Sequence, residues 1–225
     1  MTSSNAAPPV TLDRRTGPHG EVILRRRDEN YEIIANGCFL MDTSDGRSER
    51  LLVDAALERT TAPAPSVLIG GLGVGFSLAH AAARPRWSRI VVVEREEAVV
   101  DWHRAGPLGV FTGAALADPR VEVLHADLNA HLRAGVARYD ALCLDIDNGP
   151  QWTVTEDNDS LYSPAGLAAC RACLNPGGIL AIWSARPSPA FEDALRDAGF
   201  DEVRTVEVPV PRGVPDAVHL ARNPA

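Results

Sequence analysis

Residues 66–94 read SVLIGGLGVGFSLAHAAARPRWSRIVVVE, and this stretch decides the fold. The short apolar run 67–69 meets a glycine turn with Gly71, Gly73 and Gly75. A helix of small residues follows at 76–83, and a second apolar run, 90–93, ends in Glu94. Glycines let a backbone approach a nucleotide closely, and a carboxylate after the second strand can accept from ribose hydroxyls. The stretch therefore predicts a nucleotide-binding unit of strand, turn, helix and strand.

The chain after residue 65 continues this alternation. The predicted strands are 67–69, 90–93, 121–125, 141–144 and 179–183, with two more near 203–208 and 217–221, and the predicted helices are 76–83, 96–103, 128–135, 164–174 and 188–198. Regular alternation is typical of a mostly parallel sheet with right-handed crossovers. The pattern resembles the Rossmann-like class I methyltransferase fold, an α/β fold whose mostly parallel seven-stranded sheet ends in an antiparallel C-terminal hairpin.

The first 65 residues have a different pattern. Residues 1–18 are rich in Ser, Pro, Ala and Thr, which predicts a disordered tail. Strands are predicted at 21–26, 31–35 and 38–41, with Asn36-Gly37 as a hairpin turn, and an amphipathic helix is predicted at 49–59. The sequence thus predicts three parts, which are the tail 1–18, a small N-terminal β-rich region with one helix over 19–65, and a Rossmann-like domain over 66–225.

Composition limits the classes of partner. Hydrophobic residues make up 45% of the 225 residues, which favours a buried core, whereas the formal net charge is −8. A chain without a basic surplus has little to neutralise phosphates, so we expect no nucleic-acid or membrane partner. No apolar run approaches the ~20 residues that span a bilayer. Residues 1–20 contain no hydrophobic core of a secretory signal, so we expect none.

The four cysteines fit reduced thiols in a cytoplasmic protein. Cys170 and Cys173 form a CxxC inside the predicted helix 164–174, but no second pair of Cys or His follows at ligand spacing. Small thiols that pack a helix are therefore favoured over a zinc or redox site, and we expect no metal.

Several short pieces occur in a family-specific order. They are Ile69-Gly70-Gly71, Glu94 after its strand, Asp118-Pro119-Arg120-Val121, His125-Ala126-Asp127, the strand from Tyr139 to Asp145, Leu161-Tyr162, and Leu174 to Gly178. Together they resemble the spermidine synthase-like (polyamine aminopropyltransferase) branch of the class I S-adenosylmethionine-dependent methyltransferase superfamily. The N-terminal β-rich region resembles a shortened form of that family's N-terminal sheet. Such enzymes commonly pair through this region, so the resemblance also implies a homodimer.

The resemblance implies a cofactor site. Gly71, Gly73 and Gly75 would leave room for the amino-acid tail of an S-adenosyl ligand. Glu94 would accept from both ribose hydroxyls, and Asp127 would accept from the adenine amino group. Each of these two acids has the alternative role of a helix cap.

Asp145 is the candidate catalytic residue. It closes the fourth strand at the carboxyl edge of the sheet, where open α/β folds place ligands, so it is also expected among the cofactor-binding residues. The resemblance implies that it accepts the proton of an amine nucleophile or orients its lone pair. The alternative is a structural acid, with Asp147 and Asn148 sharing or replacing its role.

One departure from the family changes the expected cofactor. Aminopropyltransferases normally carry an aspartate in this turn, as GGGDGG, and it meets the amine of a decarboxylated tail. Here Gly73 stands in that place. An aspartate at this position, about 4 Å from the tail carboxylate of intact S-adenosylmethionine, would repel that carboxylate by a few kcal/mol in a partly screened site. Its absence favours intact S-adenosyl-L-methionine over the decarboxylated form.

Further departures concern the acceptor. The family's polyamine-site Gln and Tyr are missing, and Leu40 and Ser48 stand near those places. Residues 147–160 should form an acidic loop over the pocket, which either binds a cationic substrate or is merely solvated. Candidate substrate residues there are Asp147, Asn148, Trp152 and, just beyond, Tyr162.

Three functions follow from these features. The first is a methyltransferase that acts on a small, amine-bearing acceptor near Asp145 with S-adenosyl-L-methionine. The second is transfer of an aminopropyl or aminocarboxypropyl group from the same type of cofactor. The third is a non-catalytic protein that binds an adenosyl ligand or serves as an interaction domain.

Overall fold

The structure is a computed structural model that describes residues 8–146, 148–150, 158–210 and 213–224. Two sheets organise these residues. The first is antiparallel with its strands in chain order: β1 (Val10–Gly17), β2 (Gly20–Arg27), β3 (Asn30–Ala35) and β4 (Cys38–Asp42). Eight helices are described: α1 (Arg47–Arg59), α2 (Phe76–Ala82), α3 (Glu97–Arg104), α4 (Gly109–Leu116), α5 (Leu128–Ala134), α6 (Asp159–Tyr162), α7 (Pro164–Ala172) and α8 (Pro189–Asp197).

The second sheet has seven strands in the order β10-β11-β9-β8-β5-β6-β7. Their bounds are β5 (Ser66–Gly70), β6 (Arg89–Glu94), β7 (Val121–His125), β8 (Tyr139–Leu144), β9 (Leu174–Ser184), β10 (Asp201–Val208) and β11 (Asp216–Arg222). Strands β5 to β9 pair in parallel, whereas β11 pairs antiparallel with both β9 and β10. The predicted Rossmann-like α/β fold with a C-terminal antiparallel hairpin is therefore confirmed.

The strand order reverses beside β5. The chain runs outward through β6 and β7, then returns to place β8 on the other side of β5. Such a reversal opens a crevice at the carboxyl ends of the strands, which is where open α/β sheets bind ligands. The glycine turn after β5 and Asp145 after β8 flank this crevice.

The central strands are buried on both faces. Val67, Leu68 and Ile69 of β5 are each fully buried, and Leu68 packs into a different hydrophobic cluster from its two neighbours. Because successive strand residues point to opposite faces, one run supplies both layers of the core. Helix α1 packs its apolar face, including Leu52 and Val53, into the same cluster as Val67 and Ile69.

The expectation of a disordered tail over residues 1–18 is wrong for residues 10–17, which form β1. This strand pairs with β2 and is also held to α3. The Trp102 indole N–H donates to Asp13 Oδ2 at 2.8 Å, and Arg15 binds Asp101 at 2.7 Å. A Ser- and Pro-rich composition does not reveal such long-range partners. Residues 1–7 lie outside the described part of the chain.

Candidate functional site

The glycine turn is tightly packed. Gly71 has a φ of 92°, and a Cβ on it would lie 2.5 Å from the backbone oxygen of Asp145. Gly73 has a φ of 49°, and a Cβ there would lie 2.3 Å from Met41 Sδ. Side chains rarely adopt such left-handed backbone, and the contact at Gly71 is with backbone that cannot move aside, so the turn requires glycine at 71. A side chain at position 73 would have to displace the flexible Met41 side chain.

Three side chains from outside the turn hold its peptide groups. Leu72 N–H donates to Glu94 Oε2 at 2.8 Å, and Val74 N–H contacts Met41 Sδ at 3.3 Å. The Gly73 carbonyl lies 2.8 Å from His103 Nε2. A carbonyl only accepts, so we assign the proton to Nε2, and Nδ1 then accepts from the Thr112 hydroxyl at 2.8 Å. These contacts fix the conformation of the turn before any ligand arrives.

Glu94 ends β6 with its side chain only 8% exposed. Its second oxygen, Oε1, accepts from Glu96 N–H at 2.8 Å, so both oxygens bind backbone. Burial raises the pKa of this carboxyl group, whereas the two N–H donors favour the charged form. Each carboxylate oxygen keeps a second lone pair, which leaves Glu94 able to accept from a diol.

Asp127 lies between β7 and α5. Its Oδ1 accepts from Ala130 N–H at 2.7 Å, so it is the N-cap of α5, which is the alternative role considered from the sequence. The same side chain also lines the pocket. Capping and ligand binding are compatible here because a carboxylate has further acceptor sites.

Asp145 follows β8, and its N–H donates to the Gly70 carbonyl at 2.9 Å. The Ser77 hydroxyl donates to Asp145 Oδ2 at 3.3 Å. Burial, together with the negative field of Glu49, raises the pKa of Asp145 to about 8. A carboxyl group with such a pKa is poised to gain or lose a proton near neutrality.

Glu49, which the sequence interpretation missed, lies beside Asp145 in the pocket. It is in the first turn of α1, is 8% exposed, and accepts from the Ser48 hydroxyl at 3.0 Å. Burial raises its pKa, and nearby Asp216 adds to the effect. A signal was present in the sequence, since Glu49 shares the helical face of Leu52, Val53 and Ala56.

One pocket brings together five of the six predicted cofactor-binding residues. Its lining includes Gly71, Gly73, Glu94, Asp127 and Asp145 from the predicted set. The structure adds Glu49, Leu40, Met41, His19 and Trp183. The N-terminal sheet therefore forms one wall of the pocket.

Other predicted residues lie elsewhere. Gly75 precedes α2 and packs against Thr112 and His103 rather than lining the pocket. Tyr162 donates its hydroxyl to the Ile146 carbonyl at 3.2 Å, and its ring packs edge-on against Phe191. The Asn148 carbonyl accepts from Ala185 N–H at 3.2 Å.

Neither Tyr162 nor Asn148 is among the pocket-lining residues. The predicted substrate residues Asp147 and Trp152 fall outside the residues that the structure describes.

The CxxC residues pack the core. Cys170 and Cys173 are buried, and Cys173 Sγ contacts the Leu132 carbonyl at 3.1 Å. Burial raises the pKa of the Cys170 thiol to about 12. Within the described ranges, no group of three or more His, Cys, Asp or Glu could hold a metal ion. None of the helices in these ranges is long and apolar enough to cross a bilayer.

Sequence comparison finds polyamine aminopropyltransferases and a putrescine N-methyltransferase among the relatives of this chain. A polyamine aminopropyltransferase of Mycobacterium tuberculosis is 28% identical over 186 residues, which are 80% of this chain and 34% of the relative. Putrescine N-methyltransferase 3 of Nicotiana tabacum is 29% identical over 59% of this chain and 34% of the relative. The chain thus spans about a third of the length of either relative. No protein-family model matches it.

Comparison with solved structures tests the fold. A crystal structure of spermidine synthase in complex with the transition-state analogue AdoDATO covers 95% of this chain with a TM-score of 0.77 and 17% identity, and the match spans 74% of that chain. The predicted resemblance is confirmed. This chain has the fold of the spermidine synthases, a branch of the class I methyltransferase-like fold, and its sequence relatives are polyamine aminopropyltransferases and a putrescine N-methyltransferase.

Proposed function

We propose that this protein is a transferase that moves an alkyl group from an S-adenosyl cofactor to the nitrogen of a small amine. One observation carries the proposal. Glu94 and Asp127 lie at the carboxyl ends of strands on one side of the glycine turn, Asp145 follows a strand on the other, and all three line one pocket with Glu49. A pocket with a diol-binding acid and a separate buried acid pair suits an adenosyl ligand beside a cation.

The residues on the first side fit the adenosyl ligand. Gly71 and Gly73 line the pocket with bare backbone, which a ligand can approach closely, and Glu94 keeps acceptor capacity for the ribose hydroxyls. Apolar Val93, Val99 and Leu128 line the same pocket and suit the adenine ring. When bound, the cofactor supplies a carbon activated by a sulfonium leaving group.

The residues on the second side fit the amine. Glu49 and Asp145 are neighbouring carboxyl groups with raised pKa values. A cation between them would offset the repulsion between their negative charges. In the reaction the nitrogen lone pair forms the new C–N bond, the C–S bond breaks, and the sulfur keeps that electron pair. Asp145 orients the nitrogen and accepts its proton, while the pocket excludes water.

The transferred group has two candidates. The names of the relatives favour aminopropyl over the methyl transfer expected from the sequence, since the mycobacterial relative and the structural neighbour are aminopropyltransferases. Methyl transfer is the second candidate. It is supported by the name of the Nicotiana relative and by Gly73, which provides no acid for a decarboxylated tail.

Product analysis tests the proposal. The purified protein is incubated with putrescine or spermidine and with either S-adenosylmethionine or its decarboxylated form, and the products are identified by mass spectrometry. Aminopropyl transfer releases methylthioadenosine, whereas methyl transfer releases S-adenosylhomocysteine. Alkylated amine with either co-product supports the proposal. Binding of adenosyl ligands without turnover of any amine would instead favour a non-catalytic protein.

Replacement of Glu49 with glutamine should weaken acceptor binding. The variant keeps the shape but loses the charge that faces the ammonium group, so the KM for the amine should rise about tenfold or more, since a hydrogen bond to a charged group contributes about 1.5–3 kcal/mol. The Kd for methylthioadenosine, measured by calorimetry, should stay unchanged. Glu58→Gln is the matched control, because Glu58 is exposed on the same helix. Equal KM values in both variants would exclude Glu49 from the acceptor site.

A further inference from the structure

We propose that Met41, in the last strand of the N-terminal sheet, determines which cofactor tail the pocket accepts. The inference rests on the proposed function and names a residue that discriminates between two forms of the cofactor. It is carried by the position of the Met41 thioether on the glycine turn.

A β-bulge turns Met41 toward the turn. Strand β3 pairs Ile33 with Met41 and Ile34 with Phe39, so Leu40 is the extra residue of β4. In a regular strand, Leu40 and Met41 would point to opposite faces. Here both line the pocket, since a bulge re-aims a side chain and terminates regular pairing.

The Met41 thioether occupies the side-chain space of residue 73. A Cβ on Gly73 would lie 2.3 Å from Met41 Sδ, 3.2 Å from Cε and 4.0 Å from Cγ, so its three nearest atoms in the described part of the chain, apart from residues 72 and 74, all belong to Met41. Val74 N–H also contacts Sδ at 3.3 Å. Met41 and Gly73 are therefore matched to each other, and a larger residue at one position requires a smaller one at the other.

The chemistry of the thioether determines how this part of the turn interacts with the tail of the cofactor. A thioether is neutral and polarisable, so it neither repels a carboxylate nor pairs with an ammonium group. A carboxylate on residue 73 would repel the tail carboxylate of S-adenosylmethionine and attract the bare amine of the decarboxylated form. Met41 keeps this part of the turn neutral and thereby permits the intact tail.

A double-mutant cycle tests the pairing by calorimetry. The variants are Met41→Ala, Gly73→Asp and the double variant, and the ligands are methylthioadenosine, S-adenosylmethionine and decarboxylated S-adenosylmethionine. Gly73→Asp alone should weaken all three ligands about tenfold or more, because Met41 must leave its position. The double variant should bind methylthioadenosine like Met41→Ala and shift its preference about tenfold or more toward the decarboxylated form.

Leu40→Ala in the Gly73→Asp background is the matched control. Leu40 lines the same pocket but is not among the neighbours of the Gly73 Cβ, so its removal should not rescue binding. Rescue by Leu40→Ala, or a double variant with unchanged preference, would overturn the role of Met41. Neither of those results would affect the expectation that the wild-type protein binds methylthioadenosine. Its failure to bind would instead overturn the proposed function, so the two failures are distinguishable.

Discussion

Replacement of Glu94 with alanine is expected to lower the affinity for methylthioadenosine by about 100-fold or more. Two hydrogen bonds from ribose hydroxyls to a carboxylate contribute about 1.5–3 kcal/mol each, and every 1.4 kcal/mol is about tenfold in Kd. The carboxylate is buried at the end of β6, where water competes poorly for it. Isothermal titration calorimetry measures the loss directly.

Glu94 also has a structural role, which the experiment must separate. Its oxygens accept from the N–H groups of Leu72 and Glu96, so the alanine variant removes the acceptor of one buried and one partly buried backbone donor. A ligand without the 3′-hydroxyl makes the distinction. The wild-type protein should bind it about tenfold more weakly than methylthioadenosine, whereas Glu94→Ala should bind the two equally. If the variant still discriminates between them, Glu94 does not contact the ribose.

Replacement of Asp145 with asparagine is expected to lower kcat about 10²- to 10⁴-fold, which is the usual contribution of a positioned general base. Asparagine is nearly isosteric but cannot accept the proton of the acceptor amine. The Kd for methylthioadenosine should be unchanged because the proposed role of Asp145 lies in the transfer step. Single-turnover kinetics and calorimetry on the same preparation separate the two quantities.

Thermal unfolding provides the control for this variant. Burial raises the pKa of Asp145 from 3.8 to about 8, so between these values the folded protein holds a proton that the unfolded chain has released. The carboxyl group then destabilises the fold increasingly as pH rises, whereas asparagine stays neutral. Asp145→Asn should raise Tm relative to wild type more near pH 9 than near pH 5. A difference independent of pH would contradict a buried charge at this position, and full activity would remove Asp145 from the proposed mechanism.

Apolar runs predicted the Rossmann-like domain well because its central strands are buried on both faces. Such strands appear as unbroken apolar runs, such as 67–69 and 90–93, which need no tertiary information to be found. Helix α4 was missed because Gly109–Leu116 contains two glycines and only two fully packed positions, so its apolar periodicity is weak. Strand β1 was missed because the prediction for residues 1–18 rested on their composition, which shows neither the pairing with β2 nor the contact of Asp13 with Trp102 in α3.

Some residues of the candidate site could likewise be predicted from the sequence, and others could not. Gly71, Glu94, Asp127 and Asp145 were recognisable because each lies at the carboxyl end of a strand or within two residues of it, and parallel strands bring their carboxyl ends to one edge. Glu49 and Met41 follow no such rule. One lies in a helix and the other in an antiparallel strand, both outside the Rossmann-like pattern.

The sequence by itself determined the sheet, its crossovers and the row of acids at its carboxyl edge, since these depend on local patterns repeated along the chain. Only the tertiary structure decided that the N-terminal sheet closes the pocket, that Glu49 stands beside Asp145, and that a bulge places Met41 on Gly73. Those features depend on contacts between segments far apart in the chain. Their side-chain directions are set by packing and register, which local composition does not encode.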